Sequence, residues 1–135
     1  MYEYFVKEVK NVVDGDTIDV IIDLGFDILF ASRVRLAGID TPESRTTDKA
    51  EKALGIEAKE YLKKCLKDAK SVVIRTEKMD SSEKYGRILG WVYVNGESES
   101  LNNKMINDGY AWGYLGDTKI KDFEALKKAR VKSGK

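Results

Sequence analysis

The sequence predicts a β-barrel with helices packed on it (α+β class), built from five strands and three α-helices in one domain over residues 1–135. Three observations carry this expectation. Alternating apolar and β-branched runs fill the first 37 residues, separated by turn dipeptides. A long stretch with helical periodicity comes next, and two further strand runs and two helical segments complete the chain.

Residues 2–13 are rich in aromatic and β-branched side chains, and Asp14-Gly15 follows, a dipeptide suited to the positive φ angles of a two-residue hairpin turn. Residues 17–23 form a second strand with Ile18, Val20 and Ile22 on one face. A turn at Leu24-Gly25 leads to a third strand over 28–37, where Phe30, Val34 and Leu36 share a face and Arg33 and Arg35 share the other. Pairing these two strands antiparallel with coincident apolar faces sets Ile18 near Val34, Ile22 near Phe30 and Thr17 opposite Arg35. The hairpin at 14–16 and the exit of the third strand then meet on one rim.

Residues 48–70 are the clearest helix. Ala50, Ala53, Leu54, Ala58, Tyr61, Leu62, Cys65 and Leu66 recur at steps of three and four and make one apolar stripe, in which Cys65 reads as core packing. Strands are expected at 71–77 and 88–94, joined by a polar loop. A short helix over 98–107 stops at Gly109, and a last helix over 119–132 buries Ile120, Phe123 and Leu126. Five strands with a helix after the third is the chain order of a small Greek-key barrel of the oligonucleotide/oligosaccharide-binding (OB) kind.

Composition narrows the chemistry. The chain has no histidine and one cysteine, which excludes Ser-His-Asp triads, His-ligated zinc, multi-Cys metal sites and an internal disulfide framework. No apolar run approaches the roughly 18 residues of a membrane helix, so no membrane partner is expected. The start carries no export signal, and a cytoplasmic monomer without an obligate protein partner is expected, secretion staying open where a leader was removed. The net charge of +1 predicts no partner, but its distribution is uneven. Residues 1–30 hold two lysines and seven acids, and residues 119–135 hold seven bases and two acids. That basic end reads either as a nucleic-acid footprint or as the solvated face of a last helix.

Three short pieces bear polar chemistry: Asp14-Gly15-Asp16-Thr17, Asp40-Thr41-Pro42-Glu43 and Lys84-Tyr85-Gly86-Arg87. Each alone reads as a turn or loop. Together, Asp16 and Asp40 sit at strand ends on one rim, Thr41 adds a backbone carbonyl and Glu43 a further carboxylate. Such a set would hold a cation through oxygen alone, whether calcium, magnesium or manganese. Arg87 and either Arg33 or Arg35 supply guanidinium forks that match the equatorial oxygens of a phosphorane. Glu43 is placed to take a proton from water. A cation, two arginines and a base are what metal-assisted phosphodiester hydrolysis requires.

These pieces, with Arg35-Leu36-Ala37-Gly38-Ile39 ahead of Asp40 and a weaker stretch from Leu101-Asn102 to Gly109-Tyr110-Ala111-Trp112, resemble the staphylococcal nuclease (thermonuclease) family over residues 7–131. The resemblance implies a five-stranded OB barrel with three helices and calcium-dependent cleavage of DNA and RNA. It assigns calcium to Asp16, Asp40 and the Thr41 carbonyl, with Asp14 close by, and selects Arg35 over Arg33 as the phosphate-gripping arginine. It makes Glu43 the general base and Arg87 the stabiliser of the transition state, with Lys84 and Tyr85 on a terminal phosphate. A base would stack on Tyr114, with Trp112 as the alternative. The loop over 44–49 departs from the family's best-known member. The expected activity is sugar-nonspecific hydrolysis of single-stranded or melted nucleic acid leaving 3′-phosphate ends. The alternative is a barrel that binds nucleic acid or a protein without catalysis, and the complete set Asp16, Arg35, Asp40, Glu43 and Arg87 speaks against it.

Overall fold

A computed structural model describes residues 2–76, 88–113 and 122–133. Strands β1 (Tyr2–Asp14), β2 (Thr17–Asp23) and β3 (Leu29–Leu36) form an antiparallel meander, and a two-residue strand, β4 (Ile39–Asp40), follows. After helix α1 (Lys49–Lys67) come β5 (Val72–Thr76) and β6 (Ile88–Val94), then α2 (Leu101–Asn107), β7 (Trp112–Gly113) and α3 (Phe123–Ser133). Five strands close a barrel in the order β1-β2-β3-β6-β5, with β3 and β6 parallel and β5 returning to β1. The predicted OB-type barrel with three helices is the observed fold. The small β4–β7 ladder was not expected, because two residues carry no periodicity to read.

The predicted register holds throughout the second hairpin: Thr17 faces Arg35, Ile18 faces Val34 and Ile22 faces Phe30. Period-two alternation leaves one pairing that buries both apolar faces. β1 is longer than its neighbours and carries three register irregularities against β2, where extra residues bend it around the barrel. Its first residues pair with β5 and the remainder with β2.

Three local expectations are corrected. Gly15 does not adopt a positive φ; a Cβ there would lie 2.8 Å from the Ala58 Cβ and 3.0 Å from the Thr41 Cγ2, so glycine lets the β1–β2 turn lie against α1. The turn after β2 is wider than the expected dipeptide, with Gly25, Phe26 and Asp27 all left-handed and Phe26 97% exposed. Phe30 shares the apolar face of Val34 and Leu36 but is 48% exposed, because β6 pairs with β3 only over Val34–Leu36, although its β2 partner Ile22 is buried.

The core joins Ile18, Val20, Val34, Leu36, Ile74 and Val92 of the barrel to Ala58 and Leu62 of α1 and Met105 of α2. Asp48 caps α1, accepting the Ala50 and Glu51 N–H groups. The stripe of α1 turns slightly from the one predicted: Ala50 and Ala53 are exposed, while Glu51 and Gly55 are buried. Cys65 is half-buried at the core edge, as expected of a packing cysteine. In α3, Leu126 is buried and Phe123 half-buried, while Ile120 lies outside the described residues. Gly109 ends α2 at φ +82°, and a Cβ there would meet the α3 backbone.

Asn102 ties α2 to the barrel. Its amide donates to the Ala37 and Gly90 carbonyls at 2.8 and 3.1 Å, and its oxygen accepts the Val92 N–H at 3.0 Å. Asn102→Ala orphans buried backbone groups and should cost about 2–4 kcal/mol in denaturant unfolding, at about 1–3 kcal/mol per unsatisfied group.

Candidate active site

The site grows from the end of the β2–β3 hairpin. Arg35 is the penultimate residue of β3, and its pairing with Thr17 places it beside the turn that carries Asp16. The Leu36 N–H donates to the Asp16 carbonyl at 2.8 Å, which locks strand and turn together. Asp40 comes from β4, where it pairs with Trp112 of β7. These backbone ties put two carboxylates from different segments at one guanidinium. Arg35 Nη1 is 3.5 Å from Asp16 Oδ2, and Nη2 is 3.7 Å from Asp40 Oδ1. Nη1 also donates to the Leu36 carbonyl at 2.9 Å, which fixes the plane of the fork.

All three side chains lie largely out of water, with Asp40 the most buried. Asp16 accepts from the Thr17 hydroxyl at 3.0 Å and from the Thr41 N–H at 3.3 Å, so Thr41 is held at the same carboxylate. Hard oxygen donors dominate, and the chain has nothing softer to offer here. Calcium fits this set, since it takes carboxylates, carbonyls and waters in flexible geometry. Among the described residues no three carboxylates group into a cage. Asp16, Asp40 and the Thr41 carbonyl are the groups that would hold the ion, with water filling the remaining positions.

Glu43 lies on the loop between β4 and α1. Its side chain is exposed, and its backbone is held by two features of α1 that sequence reasoning missed. The Glu43 N–H donates to Oε2 of buried Glu51 at 3.1 Å. A Cβ on Gly55 would lie 2.4 Å from the Glu43 carbonyl oxygen, so the loop rests directly on the helix backbone. One signal was available: a glycine inside a strong helix costs about 1 kcal/mol against alanine and asks for a packing reason. Asp14 is turned to the same loop, accepting the hydroxyl proton of buried Ser44.

Arg33 lies two residues back along the same face of β3, opposite Asp19. It makes a bidentate pair with Asp19, at 2.8 Å from Nε and 3.1 Å from Nη2, whereas Arg35 is the arginine of β3 that meets Asp16 and Asp40. Hydrogen bonding from Arg33 holds the Asp19 carboxyl below the ordinary carboxylate range, outweighing the upward push of burial. Because the folded pKa is the depressed one, this contribution is present above the unfolded pKa and is lost as pH falls through the folded value. Arg33→Ala should raise the Asp19 pKa in an NMR titration and cost less than about 1 kcal/mol, the pair being exposed to screening.

Trp112, the alternative stacking residue, is engaged structurally. Its Nε1 donates to the Asp122 carbonyl at 2.9 Å and its ring packs on Phe123 at 5.7 Å. Arg87, Lys84, Tyr85 and Tyr114 lie outside the described residues.

The chain is similar to known proteins over most of its length. The chain is 35% identical over 95% of its length to Protein ParB of Escherichia coli, spanning 68% of that protein. It is 35% identical over 82% of its length to a micrococcal nuclease of Shigella flexneri, spanning 59% of it. An uncharacterized protein of Methanocaldococcus jannaschii is 27% identical over 90% of the chain, which spans 65% of that relative. The family model described as Staphylococcal nuclease homologue matches residues 33–134, from the end of β3 through α3, and the chain therefore belongs to the staphylococcal nuclease family.

Proposed function

We propose that this chain is a calcium-dependent, sugar-nonspecific nuclease that hydrolyses phosphodiester bonds of DNA and RNA, favours single-stranded or melted regions and leaves 3′-phosphate ends. The observation that carries the reading is the Arg35 fork set within 4 Å of both Asp16 and Asp40. A guanidinium fixed in place beside two carboxylates meets a phosphate with little reorganisation, which is where such groups lower a barrier most. Calcium on Asp16, Asp40 and the Thr41 carbonyl would supply Lewis-acid polarisation of a phosphate oxygen and offset its charge.

The remaining roles fall to this chain's own groups. Glu43, exposed and held through its backbone, takes the proton of the attacking water. Arg87 stabilises the charge that develops on the phosphoryl oxygens and the leaving group. Lys84 and Tyr85 hold a terminal phosphate, and Tyr114 gives a base its stacking surface, which suits single strands.

Heat-denatured DNA incubated with calcium, with and without a chelator, tests the reading. The expected result is calcium-dependent cleavage with phosphate on the 3′ ends. Binding that a chelator leaves unchanged, with no cleavage, would make the chain a nucleic-acid-binding barrel instead.

A further inference from the structure

Away from this site, α1 and β1 enclose an open groove of about 610 Å³. Six lysines line it: Lys7 and Lys10 from β1, Lys59, Lys63 and Lys67 from α1, and Lys70 just beyond the helix. Glu8 is the sole acid on the lining. Among the described residues none of these lysines is in an ion pair. A chain with nearly equal numbers of bases and acids has gathered six like charges on one concave surface, where they repel one another unless a polyanion offsets them.

The order of the lysines gives the groove a direction. Lys59, Lys63 and Lys67 follow one another at four-residue steps on one face of the helix, about 6 Å apart along its axis. Lys59 adjoins Ala58, whose Cβ lies against Gly15 in the turn that carries Asp16. β1 converges on the same place, since the groove runs along it to Val12 and the strand ends at Asp14. The Lys59 end of the lysine row is therefore the one nearer the Asp16 turn, and the other leads away from it. The floor is aliphatic, including Val9, Leu66 and Val72, with no aromatic residue to stack a base.

We propose that this groove is a second binding site, one that takes the phosphodiester backbone of the substrate strand beyond the bond being cut. It rests on the nuclease reading for its ligand class and adds a processive grip without base preference. Lysine point charges facing a flexible backbone give affinity that depends on strand length and salt, while base identity is left unread.

The test compares wild type with the triple variant Lys63→Gln, Lys67→Gln, Lys70→Gln. Anisotropy of a labelled single-stranded oligonucleotide of about 20 nucleotides is recorded in chelator between about 50 and 200 mM salt, so that binding is read without cleavage. The variant should bind about ten-fold more weakly, and its slope of log affinity on log salt should shrink by about 2, at about 0.7 per lost phosphate contact. Hydrolysis of a dinucleotide should stay at the wild-type rate. Lys63→Glu alone should weaken long-strand binding in the same direction, with the thermal midpoint unchanged because the side chain is exposed. An unchanged slope in the triple variant overturns the groove. So does loss of binding to phosphatidylserine vesicles alone, which would make the surface a membrane contact. A wild-type chain that binds with the steep slope yet cuts nothing keeps the groove and loses the nuclease reading. A chain that cuts dinucleotides while the slope ignores the lysines does the reverse.

Discussion

Arg35→Gln should lower the rate of DNA cleavage by about 10²–10³-fold or more while leaving calcium affinity undiminished. The rate term follows from removing a preorganised charged donor from the place where phosphoryl charge develops, an effect worth about 3–4 kcal/mol in comparable sites. The affinity term follows from the ion pairs: Asp16 and Asp40 now share the Arg35 guanidinium at 3.5 and 3.7 Å, and a cation competes with it for the same oxygens. Removing the competitor frees both carboxylates for the metal. It also leaves two shielded carboxylates near each other, so the metal-free variant should be less stable than wild type and regain stability when calcium is added. Loss of rate together with loss of calcium binding would show that Arg35 holds the site together instead of acting on substrate. Thermal unfolding with and without calcium, run beside the rate assay, distinguishes the two.

The second large effect is expected from a residue that touches no ligand. Gly55→Ala places a methyl group 2.4 Å from the Glu43 carbonyl oxygen and 2.5 Å from its carbon, inside any permitted contact. Alanine favours the helix by about 1 kcal/mol over glycine, so an ordinary helix position would be stabilised by this change. Here overpacking costs about 1–3 kcal/mol and the loop must move instead. A displacement of about 1 Å at the Glu43 backbone should reduce kcat by about 10²-fold, since a base must sit within hydrogen-bond reach of the water it deprotonates. Calcium affinity should be retained, because Asp16 and Asp40 are anchored through the β2–β3 register and the β4–β7 ladder. A fully active Gly55→Ala would mean that the Glu43 loop tolerates displacement and that Glu43 is not held for chemistry.

These two residues also mark where the sequence could and could not be read. The pairing of Thr17 with Arg35 was legible because strand alternation is strict, and a one-residue slip would turn the whole apolar face to water. That pairing brought Arg35 to the turn carrying Asp16, which is half of the site. Asp40 was legible on the same rim, but not the ladder that holds it there, since β4 and β7 are each two residues long and too short to carry a pattern. Glu51 was hidden for a different reason. A glutamate in the first turn of an amphipathic helix reads as solvated, and nothing in its spacing announces that the Glu43 backbone meets it. The exposure of Phe30 was equally hidden, because period two reports which face a side chain takes and not how far the barrel extends along the strand.

One buried fork and two carboxylates should form a single place where cation and phosphate meet. The most direct test is the rate of DNA cleavage against calcium concentration for wild type, Asp40→Asn and Arg35→Gln. Wild type should saturate; Asp40→Asn should need more calcium but recover much of its rate at high concentration; Arg35→Gln should stay slow at every concentration. Cleavage by wild type that ignores calcium, or two variants whose curves coincide, would mean that cation and phosphate do not meet at this fork.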